Sequence, residues 1–481
     1  MSHRSPRDSL LDALTGLLGA RGLIRDPEAM ARYVTDWAGD RLGLPLAVAR
    51  PASTAEVAET VRLCRAQGVP MTPQGGHSGL VGGALPAADG GELVISLERL
   101  NRIRDVDPGN FTMTVDAGCI LEAVKQAAAE HDCDFPLSLG AQGSCQIGGN
   151  IATNAGGLNV LRHGMMRELV LGIEAVLPDG RIWDGLTRLH KDNRGYALDQ
   201  LFLGSEGTLG IVTGAVLKLV PRPEQRRTAL LGLPSVAAVV ALYGLARRGC
   251  SDLLTAFELI PRRCLELAME ATPALADPLD DVHPWYVLME VAATGPVDLD
   301  AMLEGLFERG TERGLVLDGA LGTSEAQAQQ LWQFRESMLE GQRRHGEHLR
   351  TDIAVPISAI PDFVERASRA VMAQSPACEI IAFGHVGDGN LHFNILPPRD
   401  LAEGDKRDHL HALEATLFRV LDDFDGSLSA EHGIGRTKQV AYLARLSPVE
   451  RELAEGIKAL FDPDDLLNPG RILPVRSPRR E

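Results

Sequence analysis

Two short stretches about forty residues apart carry the side chains best suited to chemistry. AFGHVGDGNLHFNI (382–395) holds His385, Asn390, His392 and Asn394, and SLSAEHGIGRTK (427–438) holds the adjacent pair Glu431 and His432. In a strand, residues two apart share a face, so Asn390, His392 and Asn394 point one way and Leu391, Phe393 and Ile395 point into the core. The Gly387-Asp388-Gly389 turn can bring His385 back towards His392. Two histidines and a glutamate are a common ligand set for an open zinc site that leaves room for substrate. A further histidine beside them has a pKa suited to general-base work. The same residues also read as two satisfied histidines and a solvated Glu-His pair, and spacing alone leaves both readings open.

Glycine supplies the second signal. PQGGHSGLVGG (73–83) follows a short strand, and SLGAQGSCQIGGNIATNAGG (138–157) adds Ser144, Asn150, Thr153 and Asn154 to its glycines. Glycine lets backbone approach a ligand closely and adopt positive φ, so successive N–H groups can converge on an anion, with a pyrophosphate as the natural guest. Neither loop is the G-x-G-x-x-G that opens a Rossmann helix. A third glycine-bearing stretch, KDNRGYALDQLFLGSEGTLGIVT (191–213), makes ordinary turns a poor account of all three.

These loops need elements to carry them. Ser53 and Glu56 form a capping box for a helix with Val57, Val61 and Cys64 on one face, closed by Gly68. Segments 101–106 and 111–117 flank the turn Asp107-Pro108-Gly109-Asn110, and Phe111, Met113 and Val115 alternate, which predicts a hairpin. VPRPEQRR (220–227) reads as a domain boundary, and strands mixed with long helices follow to about residue 425. Residues 228–246 carry no charge and approach membrane-span length, but Pro234-Ser235 divides them into a buried strand and a Ser-capped helix.

With 481 residues the chain exceeds one core, and its formal net charge of −17 argues against nucleic acid as the main partner. An acidic protein acting on an anion must concentrate positive charge locally. Seven scattered cysteines without a C-x-x-C pair argue against a disulfide framework or an iron–sulfur cluster and fit a reducing compartment. The N-terminus lacks the apolar stretch of a signal peptide.

PQGG-x-x-GL-x-GG, GS-x-x-IGGN-x-x-TNAGG and GSEGTLGI are long motifs, and through them the chain resembles the vanillyl-alcohol oxidase/p-cresol methylhydroxylase flavoproteins over roughly residues 30–475. The resemblance is to the D-2-hydroxyglutarate and D-lactate dehydrogenase branch, which carries an FAD-linked oxidase C-terminal domain. It implies an α+β protein with a two-subdomain FAD-binding domain of the p-cresol methylhydroxylase type (1–222) and an α+β substrate domain with antiparallel sheet (223–425). A C-terminal helical segment (426–481) would pack on the FAD domain. By the same resemblance, noncovalent FAD is held at its pyrophosphate by Pro73, Gln74, Gly75, Gly76, His77, Ser78, Gly79 and Leu80. The second loop adds Gly140, Ala141, Gly143, Ser144, Gly148, Gly149, Asn150, Thr153, Asn154 and Gly156. Glu206, Gly207, Gly210 and Ile211 would lie along the ribityl and adenine side. His77 departs from the branch, where Asn is usual; a GGH histidine bonds covalently to flavin in berberine-bridge-type relatives.

The resemblance makes His385, His392 and Glu431 ligands of Zn2+, with Mn2+ or Co2+ also suited, makes His432 the base, and puts Asn394 on substrate. In LWQFRESMLEGQRRHGEHLRTDIAVP (331–356), Arg335 matches an arginine that grips substrate carboxylate. Arg350 stands where relatives usually have Lys, and Leu339 where mammalian-type D-2-hydroxyglutarate dehydrogenases have Thr. The implied reaction is D-2-hydroxyglutarate to 2-oxoglutarate, with D-lactate or glycolate as the nearest rivals. It requires loss of the hydroxyl proton and hydride transfer from C2 to flavin N5. The implied partners are the hydroxy acid and an acceptor such as electron-transfer flavoprotein or a quinone. The expected site is cytoplasmic or at the inner face of a membrane, without a transmembrane segment, and a homodimer is allowed. Two readings compete: a zinc hydrolase whose glycine loops are structural, and a non-catalytic FAD-bearing subunit.

Overall fold

Ser53 starts its helix as its sequence predicts. In the computed structural model, which describes residues 6–37, 39 and 41–475, its hydroxyl accepts the Glu56 N–H at 3.2 Å. Glu56 reaches back to the N–H of Ala52 (2.7 Å), one residue further out than a capping box uses. The helix Thr54–Ala66 then buries Val57, Val61 and Cys64. It belongs to the first of two units, made of Met1–Gly157, Gly164–Arg222 and Glu431–Glu481.

This unit holds a four-stranded sheet, in the order Leu23–Ile24, Ala47–Ala49, Leu93–Ser96, Met71–Gln74, and a five-stranded one. The second runs Ile103–Asp107, Thr112–Asp116, Ile211–Lys218, Val170–Val176, Ile182–Asp184. The expected hairpin is its first antiparallel pair. Met113 and Val115 point into the core, but Phe111 does not share their face. It sits in the turn at φ 52° and is exposed, because closing the turn demands a left-handed residue there. The helix Pro448–Phe461 is anchored by Lys458, whose buried ammonium donates to Asp462 (2.6 Å) and to the carbonyls of Thr208 (3.0 Å) and Leu467 (2.8 Å). Nearby, the fully buried Arg471 pairs both oxygens of Glu92 at 3.0 Å and donates to Thr72.

The second unit, Leu158–His163 and Pro223–Ala430, is built on one antiparallel sheet of seven strands. Their order is Asp318–Gly322, Gln225–Leu233, Trp285–Ala293, Leu254–Pro261, Glu379–His385, Asn390–Leu396, Ile353–Ala354. The uncharged stretch 228–246 splits as predicted into a buried strand and the helix Val236–Gly249, capped by Ser235 on the Ala238 N–H at 3.1 Å. Among the described residues no helix is long and apolar enough to cross a membrane. On one sheet face the helices Arg262–Ala271 and Glu325–Arg344 bury Leu265, Leu331, Phe334 and Met338 against Leu288, Ile381 and Phe383. They cross so closely that a Cβ on Gly341 would lie 2.2 Å from the Leu267 carbonyl oxygen. That crossing lays Arg335 over the sheet's middle strands.

Candidate active site

In the first unit the two glycine loops touch backbone to backbone. A Cβ on Gly76 would meet the Ser144 carbonyl oxygen at 2.0 Å, and one on Gly148 the Ala117 side chain at 2.8 Å, so these glycines serve packing. Gly79, Gly140 and Gly149 instead face open space, and there a ligand could reach the backbone. Gln74 is buried and holds the first loop closed, donating to the carbonyls of Tyr33 (2.9 Å) and Ala84 (3.0 Å). Asn154, at φ 47°, accepts the Arg167 N–H at 2.9 Å, and Thr153 donates to Gly149 O at 3.0 Å. His77 adopts φ 58°, and both its ring nitrogens are shielded from solvent with no hydrogen-bond partner among the described residues. Burial pushes its pKa down, against the opposing pull of the Arg32 backbone and Asp36. A buried imidazole beside open glycine faces fits a site meant to be completed by a bound cofactor.

Glu206 behaves differently from the other residues assigned to the cofactor. Its buried carboxylate accepts the N–H groups of Ile434 (2.6 Å) and Gly435 (2.7 Å), and its carbonyl accepts from Asn468. Its side chain fastens the segment after His432. Gly207, at φ 70°, packs on Pro73, Gly210 on the Phe202 ring, and Ile211 is a core residue of its strand.

The second unit gathers the polar chemistry. Glu379–His385 and Asn390–Leu396 form the hairpin implied by the Gly-Asp-Gly turn, and the rings of His385 and His392 stand 5.8 Å apart. On the other side, Glu258 is the register partner of His385. This glutamate, 1% exposed, meets His385 Nδ1 at 2.5 Å with one oxygen and accepts Arg335 Nε at 2.9 Å with the other. Burial pushes its carboxyl up, but His385 and Arg335 outweigh that and hold it down at about 2. The guanidinium of Arg335 lies 4.9 Å above the Phe383 ring, whose other neighbour is His392 at 4.9 Å. His392 Nδ1 faces the Thr351 carbonyl at 3.3 Å, so both histidines meet a protein oxygen through Nδ1.

Asn394 accepts the Thr351 N–H (3.1 Å) and donates to Gln342 (2.7 Å), so its amide holds two neighbouring segments in place. Asn390 donates to Asp352 (3.0 Å) and to Ile353 O (2.9 Å). Asp352, also 1% exposed, receives the Ala430 N–H on its carbonyl at 3.3 Å and thereby fixes the backbone one peptide bond before Glu431. Within this unit His385 and His392 bring two imidazoles together, and Glu431 and His432, the next residues along the chain, belong to the first unit. Two imidazoles and a carboxylate are a donor set that fits a divalent metal. Arg350 is exposed, just ahead of Thr351, whereas the side chain of Arg335 is only 11% exposed. Glu258 and Asp352 were not among the residues singled out from sequence. One signal existed: LTAFELIP is an eight-residue strand buried throughout with a single acid in it, and a buried acid needs partners.

Comparison with known proteins shows the family of the chain. Residues 222–472 match the family model "FAD linked oxidases, C-terminal domain", and residues 45–185 match "FAD binding domain". A D-2-hydroxyglutarate dehydrogenase of Xanthomonas citri pv. viticola is 40% identical over 465 residues, 97% of each chain. The mitochondrial D-2-hydroxyglutarate dehydrogenase of Bos taurus is 38% identical over 95% of this chain and 82% of its own. In fold, p-cresol methylhydroxylase with bound substrate superposes with a TM-score of 0.73 at 15% identity, covering 98% of this chain and 97% of that one. The chain therefore belongs to the FAD-linked oxidases of the vanillyl-alcohol oxidase/p-cresol methylhydroxylase type, as an oxidoreductase of the FAD-dependent 2-hydroxyacid dehydrogenase family.

Proposed function

We propose that this chain oxidises D-2-hydroxyglutarate to 2-oxoglutarate and passes the electrons to a separate acceptor, an electron-transfer flavoprotein or a quinone. The observation that carries the reading is the tie of Arg335 to His385 through Glu258. It stations a buried cation beside the histidines suited to a metal, as a substrate with two carboxylates requires, and the named activity of the relatives agrees. FAD, bound noncovalently along the two glycine loops, would supply the acceptor for the C2 hydride. A metal held by His385, His392 and Glu431, with zinc the first choice, would supply Lewis acidity at the hydroxyl and C1 carboxylate.

The remaining work falls to the protein. His432 takes the hydroxyl proton on a ring nitrogen. Asn394 keeps the Thr351 backbone and Gln342 in place and directs its remaining polar capacity to the substrate. Arg335 and Arg350 hold the distal carboxylate. A hydrogen bond to a charged group contributes about 1.5–3 kcal/mol, or roughly one to two factors of ten in kcat/KM. The wild type should therefore prefer D-2-hydroxyglutarate over D-lactate by at least about tenfold. Arg350→Ala should remove most of that preference with little effect on D-lactate, and Arg335→Ala should weaken the dicarboxylate selectively. Measuring kcat/KM for both acids in the three proteins decides it. A wild type preferring D-lactate, or an unchanged ratio in Arg350→Ala, would overturn the assignment.

A further inference from the structure

We infer that Glu258 is a positioning residue that couples the metal-binding histidine to the carboxylate-binding arginine, so that one side chain sets the span between the two ends of the substrate. The inference rests on the function proposed above and adds what fixes its selectivity. Glu258 stands opposite His385 in the register of neighbouring strands and is sealed from water, with each oxygen committed to a different partner. A buried carboxylate kept only to neutralise Arg335 would accept a bidentate pair from the guanidinium. Here it takes a single Arg335 nitrogen, Nε, and turns its other oxygen to the imidazole.

Each contact does something at its own end. A carboxylate on Nδ1 fixes the tautomer of His385, aims Nε2 and raises its basicity as a ligand. At the other end, engaging Nε leaves the terminal nitrogens of Arg335 to face an anion, and the Phe383 ring at 4.9 Å sets the plane of the guanidinium. Phe383 also packs on His392, so the arginine is indexed to both histidines. Losing Glu258 therefore loosens the metal end for every substrate and the cation end only for a substrate with a second carboxylate.

The test is Glu258→Gln in the FAD-loaded enzyme, which keeps the shape and removes the charge. Zinc affinity is read by competition with a chromophoric chelator, FAD content by absorbance, and kcat and KM for both acids at saturating zinc. The expected result is zinc binding about 10–100-fold weaker with normal FAD content. KM for D-2-hydroxyglutarate should rise at least about tenfold more than KM for D-lactate. Zinc affinity within about twofold of wild type, or equal losses for the two acids, would overturn the inference and leave the proposed function standing. A wild type that binds no zinc, or oxidises neither acid, would overturn both. Should the variant fail to fold, nitrogen-15 NMR of the zinc-loaded wild type answers the same question. The His385 ring should carry its proton on Nδ1, and a proton on Nε2 would overturn the coupling.

Discussion

His432 follows Glu431 without an intervening residue, so the proposed base and the proposed ligand share one short backbone segment held at Ala430 by Asp352. On this assignment His432→Ala keeps FAD and metal yet turns over about 10²–10⁴ times more slowly, the usual range for a lost general base. Flavin titration, elemental analysis and stopped-flow reduction check it together. Loss of zinc with fast flavin reduction in the remaining loaded fraction would exchange the roles of the two residues. At this scale the sequence was informative where partners are close along the chain. His385, Asn390, His392 and Asn394 fall within ten residues, and strand alternation plus one turn is enough to bring them together. Glu258 lies 127 residues from His385 and Asp352 lies 38 from Asn390. Only strand order and register make those pairs, and neither can be read from local periodicity. Asn394 shows the converse: its place was legible, but not that its amide would also hold Thr351 and Gln342.

Among the elements, the glycine loops divide by what stands over each Cα. Gly76→Ala drives a methyl into the Ser144 carbonyl oxygen, which backbone cannot yield cheaply, so the apoprotein should lose about 1–3 kcal/mol of stability. Gly149→Ala meets nothing within 4 Å and should leave apoprotein stability intact while weakening FAD. Thermal melts with and without flavin separate these outcomes, and equal Tm losses in both variants would mean that the open face is not the cofactor's. Acid precipitation should release the flavin, since His77 is proposed as a noncovalent neighbour. Colour that stays with the protein and disappears in His77→Asn would make it the attachment point. Element type was largely legible because caps and turns are local: Ser53 and Ser235 cap their helices as read. Phe111 was misplaced because alternation says nothing of which residue a turn forces into left-handed φ.

For the whole molecule, the C-terminal segment is fastened into the first unit by a buried ion pair that sequence reading did not single out, since Glu92 and Arg471 are 379 residues apart. Burial pushes the Glu92 carboxyl up, but Arg471 outweighs that and holds it below the ordinary value. A depressed folded-state pKa contributes stability that is complete above the unfolded carboxylate value of about 4.3 and is lost as pH falls through the lower folded value. Glu92→Gln should therefore lower Tm near neutrality and flatten its fall below about pH 4.3; an acid limb as steep as wild type would contradict this. Truncation to Ala, which strands Arg471, should cost about 3–5 kcal/mol. The central claim is that bound FAD is reduced by D-2-hydroxyglutarate in a metal-dependent site, and the most direct test is anaerobic mixing of the purified enzyme with single acids while flavin absorbance is followed. D-2-hydroxyglutarate should bleach the flavin at least about tenfold faster than D-lactate, and chelation should stop the reaction without altering the oxidised spectrum. Bleaching led by D-lactate, none with either acid, or full-rate reduction in metal-free protein would contradict it.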